Sequence, residues 1–197
     1  MKKRYKLLIM WFISFILVII MYFVFFSPTE TYVAIGSNLS INKVSTYNYI
    51  EYVKYYNSKI EIYDYTIEKD TLTEVINKIS TPKLLNKIRN SRFVSVAVSG
   101  YELNNYKEIN EEIIVDYLLN MYVLLEKLHR LNHNIYLINL NDSSLIFINN
   151  KIHDYAKKFD IKYIDHSIIN KSNIFYVNNC NYVTFKGHSN IARHIVK

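Results

Sequence analysis

The first pattern along the chain is an uncharged run, Leu7 to Phe26, in which only Ser14 and Tyr22 are mildly polar. At about 1.5 Å of rise per residue, such a helix spans roughly the 30 Å of a bilayer core. Beyond it the pattern changes to short apolar stretches alternating with helical periodicity. Tyr32–Ile35 is apolar, partly β-branched and closed by Gly36, which predicts a buried strand. Val44–Asn57 repeats apolar residues at three- and four-residue spacing around Glu51 and Lys54, the pattern of an amphipathic helix. Ile60–Tyr65 alternates like a strand. Asp70 is expected to cap a helix running through Ile79, with Leu72, Val75, Ile76 and Ile79 on one face. Pro82 starts a further short helix ending near Asn90. Phe93–Val98 is the strongest strand, a β-branched apolar run suited to a parallel sheet covered on both faces. A long helix from Asn110 to Leu131, a strand at Asn134–Leu140, a helix at Leu145–Phe159, a strand at Lys162–Asp165 and a closing helix at Lys186–Lys197 complete the pattern.

Strict alternation of strands and helices predicts an α/β fold: a three-layer α/β/α sandwich on a five-stranded parallel sheet, preceded by one transmembrane helix. The domain organisation expected is a basic cytoplasmic tip at 1–6, a transmembrane anchor at 7–26 and an extracellular domain at 31–197.

Charge sets the orientation expected of that anchor. Lys2, Lys3, Arg4 and Lys6 precede the span and nothing comparably basic follows it closely, which puts the N-terminus in the cytoplasm. The run exits through bulky aromatics with no Ala-x-Ala pattern, so an uncleaved anchor is expected rather than a signal peptide. The net charge of +7 includes those four residues; the outer part carries 20 basic against 17 acidic residues. That balance gives no nucleic-acid surface. A single cysteine, Cys180, excludes an internal disulfide. His129, His133 and His153 lack convergent Cys or acidic spacing, so neither metal nor other cofactor is expected.

In a parallel sheet of this kind, chemistry gathers at the carboxyl ends of the strands. The stretches concerned are Gly36–Ser40, Thr66–Asp70, Ser99–Leu103 and Asn178–Gly187.

These stretches, in this order, resemble the SGNH/GDSL hydrolase family, in particular its membrane-anchored forms from low-GC Gram-positive bacteria. Tyr32-Val-Ala-Ile-Gly-Ser-Asn-Leu-Ser40 resembles the opening strand and its Gly-Asp-Ser-Leu-Ser loop. Phe93-Val-Ser-Val-Ala-Val-Ser-Gly-Tyr-Glu-Leu103 resembles the strand that ends in Gly-x-Asn-Asp. Lys186-Gly-His-Ser-Asn-Ile-Ala-Arg-His-Ile195 resembles the helix after the family's Asp-x-x-His or Asp-x-His motif. The resemblance covers residues 31–197 and implies a flavodoxin-like sandwich. It also implies an ester hydrolase built from a serine, a histidine with its aspartate, and an oxyanion hole of amide donors.

Transferred position by position, the nucleophile falls on Asn38 and the aspartate before it on Ser37. The second-loop glycine falls near Lys69, the third-loop glycine on Ser99 and the oxyanion asparagine on Tyr101. The histidine falls on Tyr182 and its aspartate on Cys180. None of these keeps the family residue. Asn38 has no nucleophilic hydroxyl, and a tyrosine with an ordinary pKa near 10 is a poor base at neutrality. The expectation is a membrane-anchored SGNH/GDSL hydrolase-like protein without catalysis, binding or scaffolding at the cell envelope. Its expected partners are the bilayer, through residues 7–26, and an envelope glycan, peptide or protein, with no nucleic acid.

The alternative is an active esterase or acyl-transfer enzyme with a rearranged site, using Ser37 or Ser40 with His188. Asp165-His166 and the Cys180–His188 spacing are weaker candidate pairs, each with a packing explanation. Tyr101, Tyr182 and neighbouring tyrosines either fill the former cleft or form a stacking floor for sugar or peptide.

Overall fold

The computed structural model describes residues 2–26, 30–37, 48–67, 69–98, 100–104, 110–139, 145–164, 174–177 and 180–196. Five strands form one parallel sheet: β1 (Glu30–Ser37), β2 (Ile60–Ile67), β3 (Phe93–Val98), β4 (Ile135–Asn139) and β5 (Lys162–Ile164). Their spatial order is β2-β1-β3-β4-β5, so the chain reverses direction across the sheet between β1 and β3. The expected sandwich and its five-stranded parallel sheet are both present.

Alternation along the strands divides the core into two. Val33, Ile35, Val94, Val96, Ile135 and Leu137 face the helices α3 (Leu72–Ile79), α4 (Pro82–Asn90), α6 (Glu111–Leu131) and α7 (Ile146–Lys158). Tyr32, Ala34, Phe93, Tyr136 and Ile138 face α2 (Tyr49–Tyr56) and α8 (Phe185–Val196). All six residues of β3 are buried, as a central strand covered on both faces requires. On the α2–α8 face the Tyr32 hydroxyl lies 2.5 Å from Ser95 Oγ, so these two buried hydroxyls partner each other. Burial holds the Tyr32 phenol well above its ordinary pKa.

Caps fix the helix starts. Asn48 accepts from the amides of Ile50 and Glu51 while Glu51 reaches back to the Asn48 amide, a complete capping box. Thr71 and Glu74 repeat the device at α3, which corrects the expectation that Asp70 caps this helix. Asp70 pairs instead with Lys78 one helix length away. Pro82 starts α4, as its fixed φ and missing amide favour.

Three features differ from the expectation. A short helix α5 (Tyr101–Asn104) follows β3, and an antiparallel pair, β6 (Ile174–Val177) and β7 (Cys180–Val183), precedes α8. The stretch Asn178–Gly187, expected as a loop, therefore includes a strand and the start of α8. The helix expected from Val44 starts at Tyr49 instead, because Asn48 stands in extended backbone as its N-cap.

The N-terminal run forms a helix, α1 (Lys2–Phe26). From Leu8 to Val24 its large apolar side chains are exposed. Among the described residues no helix is long and apolar enough to cross a membrane. The expected span of 7–26 takes in Leu7, Phe25 and Phe26, whose side chains lie outside the described set.

Candidate functional site

The carboxyl edge of the sheet is set by the end of β1. Gly36 has φ of +96°, and a Cβ there would lie 2.2 Å from the carbonyl oxygen of Ala97 on the neighbouring strand. Only glycine lets β1 and β3 approach this closely while the backbone turns left-handed. The next residue, Ser37, registers with Ile67 at the end of β2 and is 1% exposed. Asn38, Ser40 and Ser99 lie outside the described residues, as do Asp165 and His166.

Two transferred positions, 32 residues apart in sequence, meet here. Lys69 follows β2 with φ of 64°, a left-handed conformation that glycine adopts without cost. The resemblance put a glycine of the family near this position, and here a lysine adopts a backbone conformation that favours glycine. The Lys69 ammonium sits 5.3 Å from the centre of the Tyr101 ring, a cation–π contact. The two positions implied to donate hydrogen bonds to an oxyanion thus hold a cation and an aromatic ring in contact.

Glu102, beside Tyr101, went unselected in the sequence. Its carboxylate accepts the backbone amide of Leu72 at 2.8 Å, tying α5 to the first turn of α3. Burial raises its pKa from 4.5 to about 7, against the lowering effect of the Leu72 amide. A signal for it existed: Glu102 stands where the Gly-x-Asn-Asp motif has its final aspartate. Burial likewise raises the Asp70 pKa, opposed by its Lys78 partner.

The late elements divide differently. Cys180 and Tyr182 both lie in β7, two residues apart in a strand antiparallel to β6, and are described as backbone positions. His188 sits in the first turn of α8, with its amide donating to the Thr184 carbonyl at 3.0 Å. It is 1% exposed, and its ring lies on Tyr49 of α2 with centroids 6.3 Å apart and planes inclined by 20°. This is the environment of a helix-packing residue, enclosed between α2 and α8. Both Ser37 and His188 are thus interior.

Beside this packed pair, the outer face of α2 and α8 carries a groove of about 390 Å³ lined by Tyr52, Phe185, Lys186, Ser189, Asn190 and Arg193. Tyr52 stacks on Tyr56, whose hydroxyl meets Ser189 Oγ at 2.6 Å and accepts from Arg193 Nε at 3.1 Å. Those two polar partners lower the Tyr56 pKa. The histidines expected not to bind metal lie elsewhere: His129 is edge-on to His133, and His153 packs on Tyr163. Among the described residues no cluster of His, Cys, Asp and Glu suited to a metal ion is present.

No protein-family model matches the chain, and no curated protein matches it. Solved structures do. The crystal structure of the lipase Lip_vut3 from goat rumen metagenome superposes with a TM-score of 0.63 at 14% identity, covering 85% of this chain and 96% of that one. Axe2, an acetylxylan esterase from Geobacillus stearothermophilus, gives 0.61 at 12% identity over 86% of this chain and 94% of its own. A catalytic mutant of Axe2 gives 0.59 at 14% identity. The fold of this chain is therefore that of the SGNH-type hydrolases, and at these identities the likeness extends to the fold alone.

Proposed function

We propose that the chain is a membrane-anchored domain of SGNH-hydrolase fold that has given up ester hydrolysis and serves as a binding or scaffolding module at the cell envelope. One observation carries this most: at the position the resemblance assigns to the oxyanion asparagine, Tyr101 offers no side-chain amide and its ring lies beside the Lys69 ammonium, although Lys69 keeps its own backbone N–H. Asn38 in place of the serine nucleophile and Tyr182 in place of the histidine base, as the resemblance aligns them, point the same way. Removing either function alone removes most of the rate in such a unit. The ligand class proposed is a saccharide or peptide, because Tyr101 at the former site and Tyr52 with Phe185 in the α2–α8 groove present aromatic rings beside polar groups. Anchoring through residues 7–26, with the domain outside, is supported by the uncharged run and the four basic residues before it.

A second function is favoured by the fold: an ester hydrolase or acyl-transfer enzyme with Ser37 or Ser40 acting with His188. The solved structures of like fold are a lipase and an acetylxylan esterase. Turnover separates the two. The full chain in detergent micelles, offered short-chain p-nitrophenyl and acetylated-sugar esters, is expected to give no release above the uncatalysed background. Turnover that disappears in Ser37→Ala, Ser40→Ala or His188→Ala would establish the enzyme and overturn the binding module.

A further inference from the structure

Each helix of the sandwich from α2 onward, except the four-residue α5, ends on basic residues. These include Lys54 in α2, Arg89 in α4, Arg130 in α6, Lys157 and Lys158 in α7, and Arg193 in α8. Acidic residues stand in the first turns of three of these helices, Glu51 in α2, Glu74 in α3, and Glu111 and Glu112 in α6. For any single helix this arrangement complements the macrodipole. Here the helices lie against a parallel sheet and run counter to its strands, so their ends fall in register and the charges add up. The domain is polarised along the strand direction, basic at the amino edge of the sheet.

The edge itself is basic too. Arg92 follows α4 and pairs with Glu30 at the start of β1, so that pair is neutral and the excess comes from the lysines beside it. Asn134 donates to the Arg92 carbonyl at 3.1 Å and accepts from Lys162 Nζ at 2.8 Å, joining the starts of β3, β4 and β5. Lys59 stands exposed immediately before β2. The chain enters the sandwich at this same edge, because β1 begins at Glu30 and α1 ends at Phe26.

Covalent geometry limits the gap. Four Cα-to-Cα steps, at no more than about 3.6 Å each, allow roughly 14 Å between the end of α1 and the start of β1. The headgroup layer takes up about 6 Å of that, and the screening length at physiological salt is about 8 Å. A helix anchored by 7–26 therefore holds the basic edge within one screening length of the lipid surface.

We infer that the amino edge of the sheet is a membrane-docking face that rests on anionic phospholipid headgroups, turning the carboxyl edge, with Ser37, Lys69 and Tyr101, away from the bilayer. This rests on the anchoring proposed above. Lys and Arg near an anionic surface attract it over about one screening length, and several act together here.

The test reconstitutes the full chain in vesicles of phosphatidylcholine, with or without phosphatidylglycerol. A donor dye is placed at Asn90→Cys on the amino edge, or at Val115→Cys near the opposite end, each in a Cys180→Ser background, with acceptor dye on the headgroups. Transfer from position 90 is expected to rise about twofold with anionic lipid, while position 115 changes little. The rise should vanish in Arg89→Glu/Lys157→Glu. It should also vanish on moving from about 0.1 M to about 1 M salt, which shortens screening from roughly 10 Å to roughly 3 Å. Quenching of Trp11 by brominated acyl chains reports insertion of α1 separately. Quenched Trp11 with transfer indifferent to lipid charge overturns the docking face and leaves the anchor. Unquenched Trp11 overturns the anchor and, with it, the docking face. A response to soluble anionic polymer on neutral vesicles that matches the response to anionic lipid assigns the edge to a polyanion instead, and also overturns it.

Discussion

Gly36 and Lys69 stand at the same edge of the sheet, both with left-handed backbone, and meet opposite constraints. At Gly36 a Cβ would strike a main-chain carbonyl of the adjacent strand. At Lys69 the side chain extends over the Tyr101 ring. Glycine stands where backbone packs on backbone, and a lysine stands where the only demand on the position is the left-handed turn itself. A left-handed backbone alone therefore does not require glycine here; close approach of a neighbouring main chain does.

Gly36→Ala breaks the comparison most severely. It adds a clash with unyielding backbone to left-handed strain, and is expected to cost about 3 kcal/mol or more, read as a lower denaturation midpoint. A loss below about 1 kcal/mol would mean that the β1–β3 approach is not what retains the glycine.

Glu102 should link the site to stability through pH. Its folded pKa of about 7 lies above the ordinary 4.5, so the folded chain keeps a proton that the unfolded chain releases. The stabilisation is full below about pH 4.5 and is lost as pH rises through 7, by at most about 3 kcal/mol. The raised Asp70 pKa acts in the same sense. Glu102→Gln keeps an acceptor for the Leu72 amide and should flatten this window, measured by chemical denaturation across it. An unchanged slope in the variant would place the titration elsewhere.

The interior offers a control away from the edge. Tyr32→Phe leaves the buried Ser95 hydroxyl without its partner and should cost about 1–2 kcal/mol, with Tyr32→Phe/Ser95→Ala less than additive. Additivity would mean that the 2.5 Å contact contributes nothing.

The mildest change is Lys69→Gly, expected to stabilise the fold by about 0.5 kcal/mol, relief of left-handed strain exceeding the lost ring contact and the added chain entropy. Destabilisation in the same denaturation measurement would mean that the ring contact and the chain entropy together outweigh the strain.

How far these features were legible follows from the range of the interactions that create them. Phe93–Val98 matches its expected bounds, because continuous apolar, β-branched sequence has no other use in an α/β fold. The long helix α6 was legible from its period, and Asn110, expected as its first residue, is its N-cap. The α3 cap was misread although Thr71-x-x-Glu74 is a capping-box sequence, because Asp70 also suits a cap in isolation. The four residues of α5 are too few to show a period, and the β6–β7 pair carries no turn signature of its own. Neither Ile67 nor Glu30 looks like a strand end; pairing between β1 and β2 draws both into the sheet. At the site, the family resemblance named Lys69 and Tyr101 separately, and their contact across 32 residues of sequence is a product of the fold. Glu102 is buried by contacts 30 residues away in sequence, which local pattern does not encode.

The claim that the fold has outlived its chemistry is tested most directly by labelling the full chain with a fluorophosphonate probe, followed by peptide mass mapping. No adduct is predicted on any serine, at Ser37 and Ser40 in particular. A stoichiometric adduct on either one, abolished by its substitution with alanine and slowed by His188→Ala, would contradict the account.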